Sequence, residues 1–207
     1  MNQHETGTSE VIAADADRRA LRQPPKLRLM LDMETLGTAP RSVITEIAVV
    51  DIDDPQRFFF HDLDIDAQLA MGRTVDGATL RWWMSRPAVP LVKKDREVVP
   101  VNFFTDLTFW RRRLVGGDDV SAVEWWCKGA SFDFLLLLDL YSQLGGHEDQ
   151  LWHFGRLMCF RTVARREDPT RQSEPEFAGR RHDALADAQH QAAWLRKIEW
   201  KREVTCE

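Results

Sequence analysis

The feature that most constrains this chain is an apolar run, LRLML at residues 27–31, which is followed at once by two acids. A run of this kind predicts a buried, central β-strand. Side chains two residues apart on a strand point to the same face, so Asp32 and Glu34 project together, with roughly 7 Å of backbone between them. Like charges this close raise each other's pKa unless a cation neutralises them. Such acids favour Mg²⁺ or Mn²⁺, although a strand end that reaches solvent explains the same two residues.

The pattern along the rest of the chain predicts one α/β sheet with helices on both faces. The first strands follow one another as an antiparallel meander, and helices then alternate with a further strand. The predicted strands are residues 26–34, 42–53, 57–65 and 121–130, and the predicted helices are residues 76–87, 101–114, 132–144, 161–169 and 182–200. Asp76 or Thr79 is the expected cap of the first helix and Pro87 its terminator, whereas Ser131 is the expected cap of the helix over residues 132–144.

The length of 207 residues indicates one domain with a short appendage. Residues 1–25 are polar and end at Pro24-Pro25, so we expect a flexible leader there and a single domain over residues 26–207. Three widely spaced cysteines without a CxxC pair argue against a disulfide framework or a zinc site, and they fit the reducing cytoplasm. No stretch reaches the roughly 18 apolar residues of a membrane span.

The charge of the chain is unevenly distributed. The formal net charge of −5 excludes a polybasic nucleic-acid coat. Residues 156–202 nevertheless contain 11 Lys and Arg against 7 Asp and Glu, whereas residues 51–66 are strongly acidic. We therefore expect the basic side of any groove to come from the last third of the chain.

Three further residues are candidates to join the first two acids. Asp133 lies at the start of a predicted helix, where a lone acid usually complements the helix dipole. Asp187 lies off the apolar stripe of the last helix, and a solvated acid explains it equally well. His182 and Asp187 would point about 140° apart if both were inside the helix. They share a site only if His182 precedes the helix and Asp183 caps it; a surface histidine is the alternative.

In combination these residues resemble the DEDDh 3′→5′ exonucleases, which have a ribonuclease-H-like (DnaQ-like) fold with a mixed central sheet flanked by helices. The order is a strand-end DxE, then FD opening a helix, then HxxxxD opening the last helix. The segments LMLDMETLGTAPRSVITEIAVV, GATLRWW, WWCKGASFDFLLLLDL and RHDALADAQHQAAWL are similar to the phage exonuclease A and exonuclease VIII group, over about residues 26–198. Two departures are Lys128, where many relatives have Asn, and the missing acid before Arg161.

The resemblance implies hydrolysis with two divalent cations, Mg²⁺ or Mn²⁺. Asp32, Glu34, Asp133 and Asp187 would hold both cations, so four negative charges would meet four positive ones, and His182 would take the proton of the attacking water. The backbone amides of Thr35, Leu36 and Gly37 would approach the terminal nucleotide, and the Leu36 side chain would wedge against its base. Trp83 and Phe132 would stack on bases, and Arg161, with the nearby Arg165 and Arg166, would hold phosphates. Packing in the core or exposure on a helix face explains these aromatic and basic residues too.

The function that the resemblance implies is removal of nucleoside 5′-monophosphates from the 3′ end of DNA, as a single strand or a 3′ overhang. An exoribonuclease that trims RNA is the nearest alternative, because the choice depends on how the site meets a 2′-hydroxyl. A nucleic-acid-binding module with an inactive site and a hydrolase of free nucleotides are further alternatives. The sequence leaves open whether the protein is a monomer or a homodimer.

Overall fold

The fold is built on one six-stranded sheet. The computed structural model describes residue 21, residues 23–86 and residues 97–205. The strands are β1 (Leu27–Thr35), β2 (Ile44–Asp51), β3 (Phe58–Leu63), β4 (Glu97–Val98), β5 (Val123–Cys127) and β6 (Leu157–Cys159). Their order across the sheet is β4-β3-β2-β1-β5-β6. The mixed sheet predicted from the sequence is thus confirmed.

The sheet extends from β1 on both sides, with different strand directions. β1, β2 and β3 pair antiparallel, which confirms the predicted meander. On the other side of β1, β5 pairs parallel with β1 and β6 parallel with β5. The carboxyl ends of β1, β5 and β6 therefore meet at one edge of the sheet. In open α/β sheets this edge, at the strand where the order reverses, is the usual place for a binding site.

Helices cover both faces of the sheet. They are α1 (Ile65–Ala70), α2 (Gly77–Met84), α3 (Pro100–Val115), α4 (Asp133–Gln143), α5 (Glu148–Leu151), α6 (Phe160–Glu167) and α7 (Ala184–Thr205). Leu29, Leu31 and Met33 of β1 face one core with α3 and α4. Met30 faces the other core, with α6 and α7. Because side chains alternate along a strand, Asp32 and Glu34 lie on the same face as Met30. None of the described helices is both long and apolar enough to cross a membrane.

Local features of the structure correct several sequence expectations. Asp76, not Thr79, caps α2, because its side chain accepts from the Thr79 N–H. Ser131 is not the cap of α4: Phe132 occupies that position without a side-chain hydrogen bond. The short elements α1, α5, β4 and β6 were not predicted, since segments of two to six residues are too brief to show a period. Pro87 and Cys206 lie outside the described residues.

Most of the expected leader also lies outside the described residues, which include only Leu21 and residues 23–25 of it. Within that part, Arg156 donates to the carbonyl oxygen of Gln23 at 2.7 Å. The last residues before the predicted domain boundary therefore contact the domain itself.

Candidate active site

Asp133 opens α4 beside the carboxyl end of β5. Its side chain is 6% exposed, and its Oδ2 accepts from the N–H of Gly129 at 3.1 Å. Arg161 lies on the same side of Gly129, because a Cβ at Gly129 would be in ordinary contact with a guanidinium nitrogen of Arg161 at 3.4 Å and with Asp133 Oδ2 at 3.5 Å. The carboxylate of Asp133 and the guanidinium of Arg161 are therefore both next to Gly129.

His182 and Asp187 are joined by the turn that opens α7. The helix begins at Ala184, and the side chain of Asp183 caps it by accepting from the N–H of Ala186 at 3.0 Å. His182 precedes the helix with a positive φ of 61°, and its N–H donates to Asp187 Oδ2 at 2.7 Å. This is the arrangement that the five-residue spacing required, so that part of the sequence analysis is confirmed.

All five predicted side chains come together at this edge of the sheet. One ligand atom from each of Glu34, His182 and Asp187 lies within 4.8 Å of the others. The carboxyl of Asp32 is close enough to Asp133, Glu34 and Asp187 for each of the three to raise its pKa. They meet because Asp32 and Glu34 share one face of β1, while Asp133 lies at the start of α4 and the other two residues lie at the start of α7.

Burial and mutual repulsion perturb these acids strongly. Burial, followed by the charge of Asp133, raises the pKa of Asp32 well above its usual range. Burial and then the charge of Asp187 raise the pKa of Glu34 to about 8. Burial also raises the pKa of Asp133 to about 6, although hydrogen bonds from Cys127 and Gly129 oppose that shift. Four acids this close together, three of them with a raised pKa, suit a divalent cation with oxygen ligands.

The sequence analysis missed Gln191, which contacts Asp32. Its side chain is 2% exposed, and its Nε2 donates to Asp32 Oδ1 at 2.8 Å. Its Oε1 is buried and has no hydrogen-bond partner among the described residues. Gln191 lies four residues after Asp187 on α7 and so shares its face of the helix, which is the signal that would have found it.

Glu46 is a second acid that the sequence analysis did not single out. It lies directly opposite Glu34 in the β1–β2 ladder and is 9% exposed. Its Oε2 accepts from the N–H of Ala184 at 3.2 Å, which ties β2 to the start of α7. Burial raises the pKa of Glu46 as well. Only the strand register reveals this residue, and the sequence does not specify that register.

The loop after β1, which we expected to contact the terminal nucleotide, has one of its backbone amides already hydrogen-bonded. The N–H of Leu36 already donates to the carbonyl oxygen of Val43 at 2.9 Å, so this amide is not available to a nucleotide. A Cβ at Gly37 would lie 2.5 Å from the hydroxyl of Ser42. Gly37 is therefore required by packing against Ser42. The Thr35 hydroxyl donates to the Gly37 carbonyl oxygen at 2.7 Å, which tightens the same turn.

The aromatic side chains near the site differ in their exposure. Trp83 is 7% exposed, and its Nε1 donates to the carbonyl oxygen of Thr35 at 2.8 Å, so little of its ring is open to a base. Trp82 is 37% exposed, and its ring lies edge-on to His182 with centroids 4.9 Å apart. Phe132 is half-buried and packs against the core next to Asp133. Trp82 is thus the accessible aromatic beside the site.

Comparisons with known proteins agree with this geometry. The family model described as the 3′-5′ exoribonuclease Rv2179c-like domain matches residues 27–199. No curated protein matches the chain significantly in sequence.

Several solved structures share the fold. Pop2p of S. pombe, in its Mg²⁺- and Mn²⁺-bound form, is 13% identical with a TM-score of 0.59, over 90% of this chain and 88% of that chain. The nuclease domain of 3′hExo, a DEDDh family member bound to rAMP, is 12% identical with a TM-score of 0.54, over 86% of this chain and 93% of that chain. Exonuclease I is 12% identical with a TM-score of 0.56, over 86% of this chain but only 43% of that chain. At these identities the likeness establishes the fold.

The family match confirms the expected 3′→5′ exonuclease, and the solved structures confirm the expected ribonuclease-H-like fold. The DEDDh type and the finer resemblance to the phage exonuclease A group stay predictions. The chain belongs to the family of Rv2179c-like 3′-5′ exoribonuclease domains.

Proposed function

We propose that this protein shortens single-stranded RNA from its 3′ end and releases nucleoside 5′-monophosphates. The observation that carries the proposal is the set of acids at the carboxyl ends of β1 and β5, in which Asp133, Glu34 and Asp187 all raise the pKa of Asp32. Acids this close together either take up protons or need a counter-charge. Two divalent cations would supply it.

Asp32, Glu34, Asp133 and Asp187 are the residues that would hold the two cations, Mg²⁺ or Mn²⁺. Their donors are all carboxylate oxygens, the ligands that these hard cations prefer. The solved structure of Pop2p with Mg²⁺ and Mn²⁺ bound supports this choice by its shared fold. When bound, a pair of such cations stabilises the attacking and leaving oxygens of an in-line displacement at phosphorus.

His182 is the residue that would accept a proton from the attacking water, through an unprotonated ring nitrogen. The hydrogen bond from its N–H to Asp187 Oδ2 fixes its backbone beside the acids. Its exposed ring meets the edge of Trp82, which limits the orientations of the imidazole.

The choice of RNA rests on the family, whose description is that of an exoribonuclease. The 3′hExo nuclease domain of the same fold was solved with rAMP bound. The sequence analysis favoured DNA, and none of the described contacts tests that preference. DNA is therefore the comparison substrate in the experiment below.

The terminal nucleotide would rest against the loop Thr35–Gly37 and the half-buried ring of Phe132. Leu36 remains the candidate wedge, since its side chain is partly exposed although its amide is occupied. Arg161, which lies beside Asp133 across Gly129, would contact the phosphate next to the acids.

The direct test uses RNA and DNA 20-mers of the same sequence, single-stranded or with a 3′ overhang, labelled at either end, with Mg²⁺, Mn²⁺ or EDTA. A 5′ label should give a ladder that shortens one nucleotide at a time, and a 3′ label should appear at once as a mononucleotide. We expect RNA to be degraded faster than DNA and EDTA to stop both reactions. Internal cuts, shortening from the 5′ end, or full activity in EDTA would contradict the proposal.

A further inference from the structure

A basic groove lies beside the acids, at the same edge of the sheet. β5 and β6 pair parallel with Cys127 opposite Cys159, so the residues that follow the two strands leave the sheet together. Lys128 follows β5, and Arg161 lies in the first turn of α6, directly after β6. The groove is therefore an extension of the site across β6, on the side away from β2.

The groove is an open cleft of about 570 Å³ between α6, α7 and the loop after α6. Its base is apolar and buried, because Phe160, Ala164 and Trp194 are 1%, 8% and 5% exposed. Its rim consists of the exposed side chains of Lys128, Arg161, Arg165 and Arg171.

Two of the charges in this cleft are already engaged within the protein. Asp168, the one acid among the described residues that line it, is 3% exposed and accepts hydrogen bonds from Ser173 and Trp194 at 2.9 and 2.8 Å. Arg171 forms an ion pair with Glu174, and its guanidinium lies 5.1 Å above the ring of Trp194. The cations left to face solvent are Lys128, Arg161 and Arg165.

We propose that this basic groove binds the phosphodiester backbone of the nucleic acid, upstream of the bond that is cut. Arg161 and Arg165 are four residues apart on α6, so they face the same way, with Cβ atoms about 6 Å apart. The two aromatic rings at the base of the groove, those of Phe160 and Trp194, are 1% and 5% exposed, and Arg171 lies over Trp194, so neither ring offers an open face to a base. The contact is therefore electrostatic and independent of base sequence.

The order of the β-strands in the sheet predicts the polarity of the bound nucleic acid. The loop after β1, where the terminal nucleotide is proposed to rest, lies on one side of the acids, and the groove after β6 lies on the other. A strand whose 3′ end reaches the Thr35–Gly37 loop would pass over the acids and enter the groove with its 5′ portion. This inference rests on the proposed function for its polarity, but not for the binding of a polyanion.

The test compares oligonucleotides of 2, 4, 8 and 12 nucleotides with the double variant Lys128→Ala/Arg165→Ala. Neither residue contacts the acids in the structure, so the loss should grow with substrate length. We expect kcat/KM to fall about tenfold or more for the 12-mer and about twofold or less for the dinucleotide. Loss of two phosphate contacts should also reduce the slope of log affinity against log salt by about 1.4. The matched control is Arg113→Ala/Lys197→Ala, which removes the same charge from exposed positions outside the groove.

Equal losses at all lengths, or equal losses in the control, would overturn the inference. If the wild-type protein degrades no oligonucleotide, the proposed function fails, and the groove is then tested by fluorescence anisotropy with a labelled 12-mer. Weaker binding in the double variant alone would support the groove, and unchanged binding would overturn it. Displacement of the 12-mer by an acidic peptide of the same charge and concentration would equally overturn the assignment to a nucleic-acid backbone.

Discussion

Two clusters of charged side chains flank the loop that follows β1, and they differ in whether each charge is paired within the protein. In the first cluster, the side chain of Arg73 is fully buried and donates to the carbonyl oxygen of Ser42 and to Asp139 and Gln143, at 2.7–3.0 Å. Every charge there has a partner within the protein. In the second cluster, Asp32, Glu34, Asp133 and Asp187 lie together, and the charges of the other three raise the pKa of Asp32.

This difference indicates that the Arg73 cluster stabilises the fold, whereas the four acids bind a ligand. Arg73 ties the loop after β1 to α4, since Ser42 belongs to the loop and Asp139 to the helix. Asp133 opens that same helix. The Arg73 cluster thus fixes the position of the loop and the helix that carry part of the acidic cluster. Replacing a residue of the first should cost stability, and replacing a residue of the second should cost activity.

The largest effect is expected for Asp133→Asn. Loss of one carboxylate should lower kcat by about 10⁴-fold, which is about 5 kcal/mol of barrier, while the melting temperature of the metal-free protein should not fall, because a source of repulsion is removed. The matched control is Asp139→Asn, the same substitution six residues later on α4. It should lower the melting temperature and leave most of the activity. The comparison fails if the two variants behave alike.

His182→Ala should lower kcat by roughly 10³-fold, since the loss of a general base typically costs 10²- to 10⁴-fold. Its affinity for Mn²⁺, measured by titration calorimetry, should remain that of the wild type, whereas Asp187→Ala should lose Mn²⁺ binding as well as activity. A large loss of Mn²⁺ affinity in His182→Ala would instead make the imidazole a ligand.

Arg73→Met should lower the free energy of unfolding by about 3 kcal/mol, because it breaks a buried ion pair and leaves the Ser42 carbonyl oxygen unpaired. Chemical denaturation at neutral pH measures the change. An unfolding free energy within about 0.5 kcal/mol of the wild type, the range of ordinary surface substitutions, would show that the first cluster does not support the frame.

Gln191→Leu should weaken Mn²⁺ binding by about 10- to 100-fold, the usual cost of removing a residue that orients a metal ligand. The side chain is nearly isosteric and buried, so the fold should persist. Gln189→Leu, two residues away on the same helix and not in contact with Asp32, is the control. Equal Mn²⁺ affinities in the two variants would remove Gln191 from a positioning role.

The smallest effect is a pH dependence that should appear only without metal. The pKa of Glu34 is raised to about 8 in the folded protein, compared with about 4.3 in an unfolded chain. The folded state therefore binds more protons than the unfolded state between these values. Stability, measured as the melting temperature, should therefore fall as pH rises from about 4.5 to about 8. Saturating Mg²⁺ should abolish this fall, and a melting temperature that rises with pH in EDTA would contradict the sign.

The sequence specified the parts of the site that depend on local periodicity. The alternation of β1 placed Asp32 and Glu34 on one face, and the five-residue spacing of His182 and Asp187 required a helix that begins between them. Both expectations agree with the structure. These inferences needed only the repeat of a strand and of a helix.

The remaining features depend on contacts between distant segments, which no local pattern contains. Trp82 and Trp83 are adjacent on α2, and only the position of β1 decides which of them is buried. Glu46 faces Glu34 through the strand register. Gly37 is required by Ser42 across the loop. The hydrogen bonds of the Trp83 indole and of the Leu36 amide to the protein itself could not be foreseen for the same reason.

The central claim is that the four carboxylates together bind two divalent cations. Anomalous X-ray diffraction from crystals of the protein grown with Mn²⁺ tests it most directly. We expect two manganese peaks about 4 Å apart, in contact with Asp32, Glu34, Asp133 and Asp187. A single peak bound by Glu34, His182 and Asp187, whose ligand atoms lie within 4.8 Å of one another, or no peak at these residues, would contradict it.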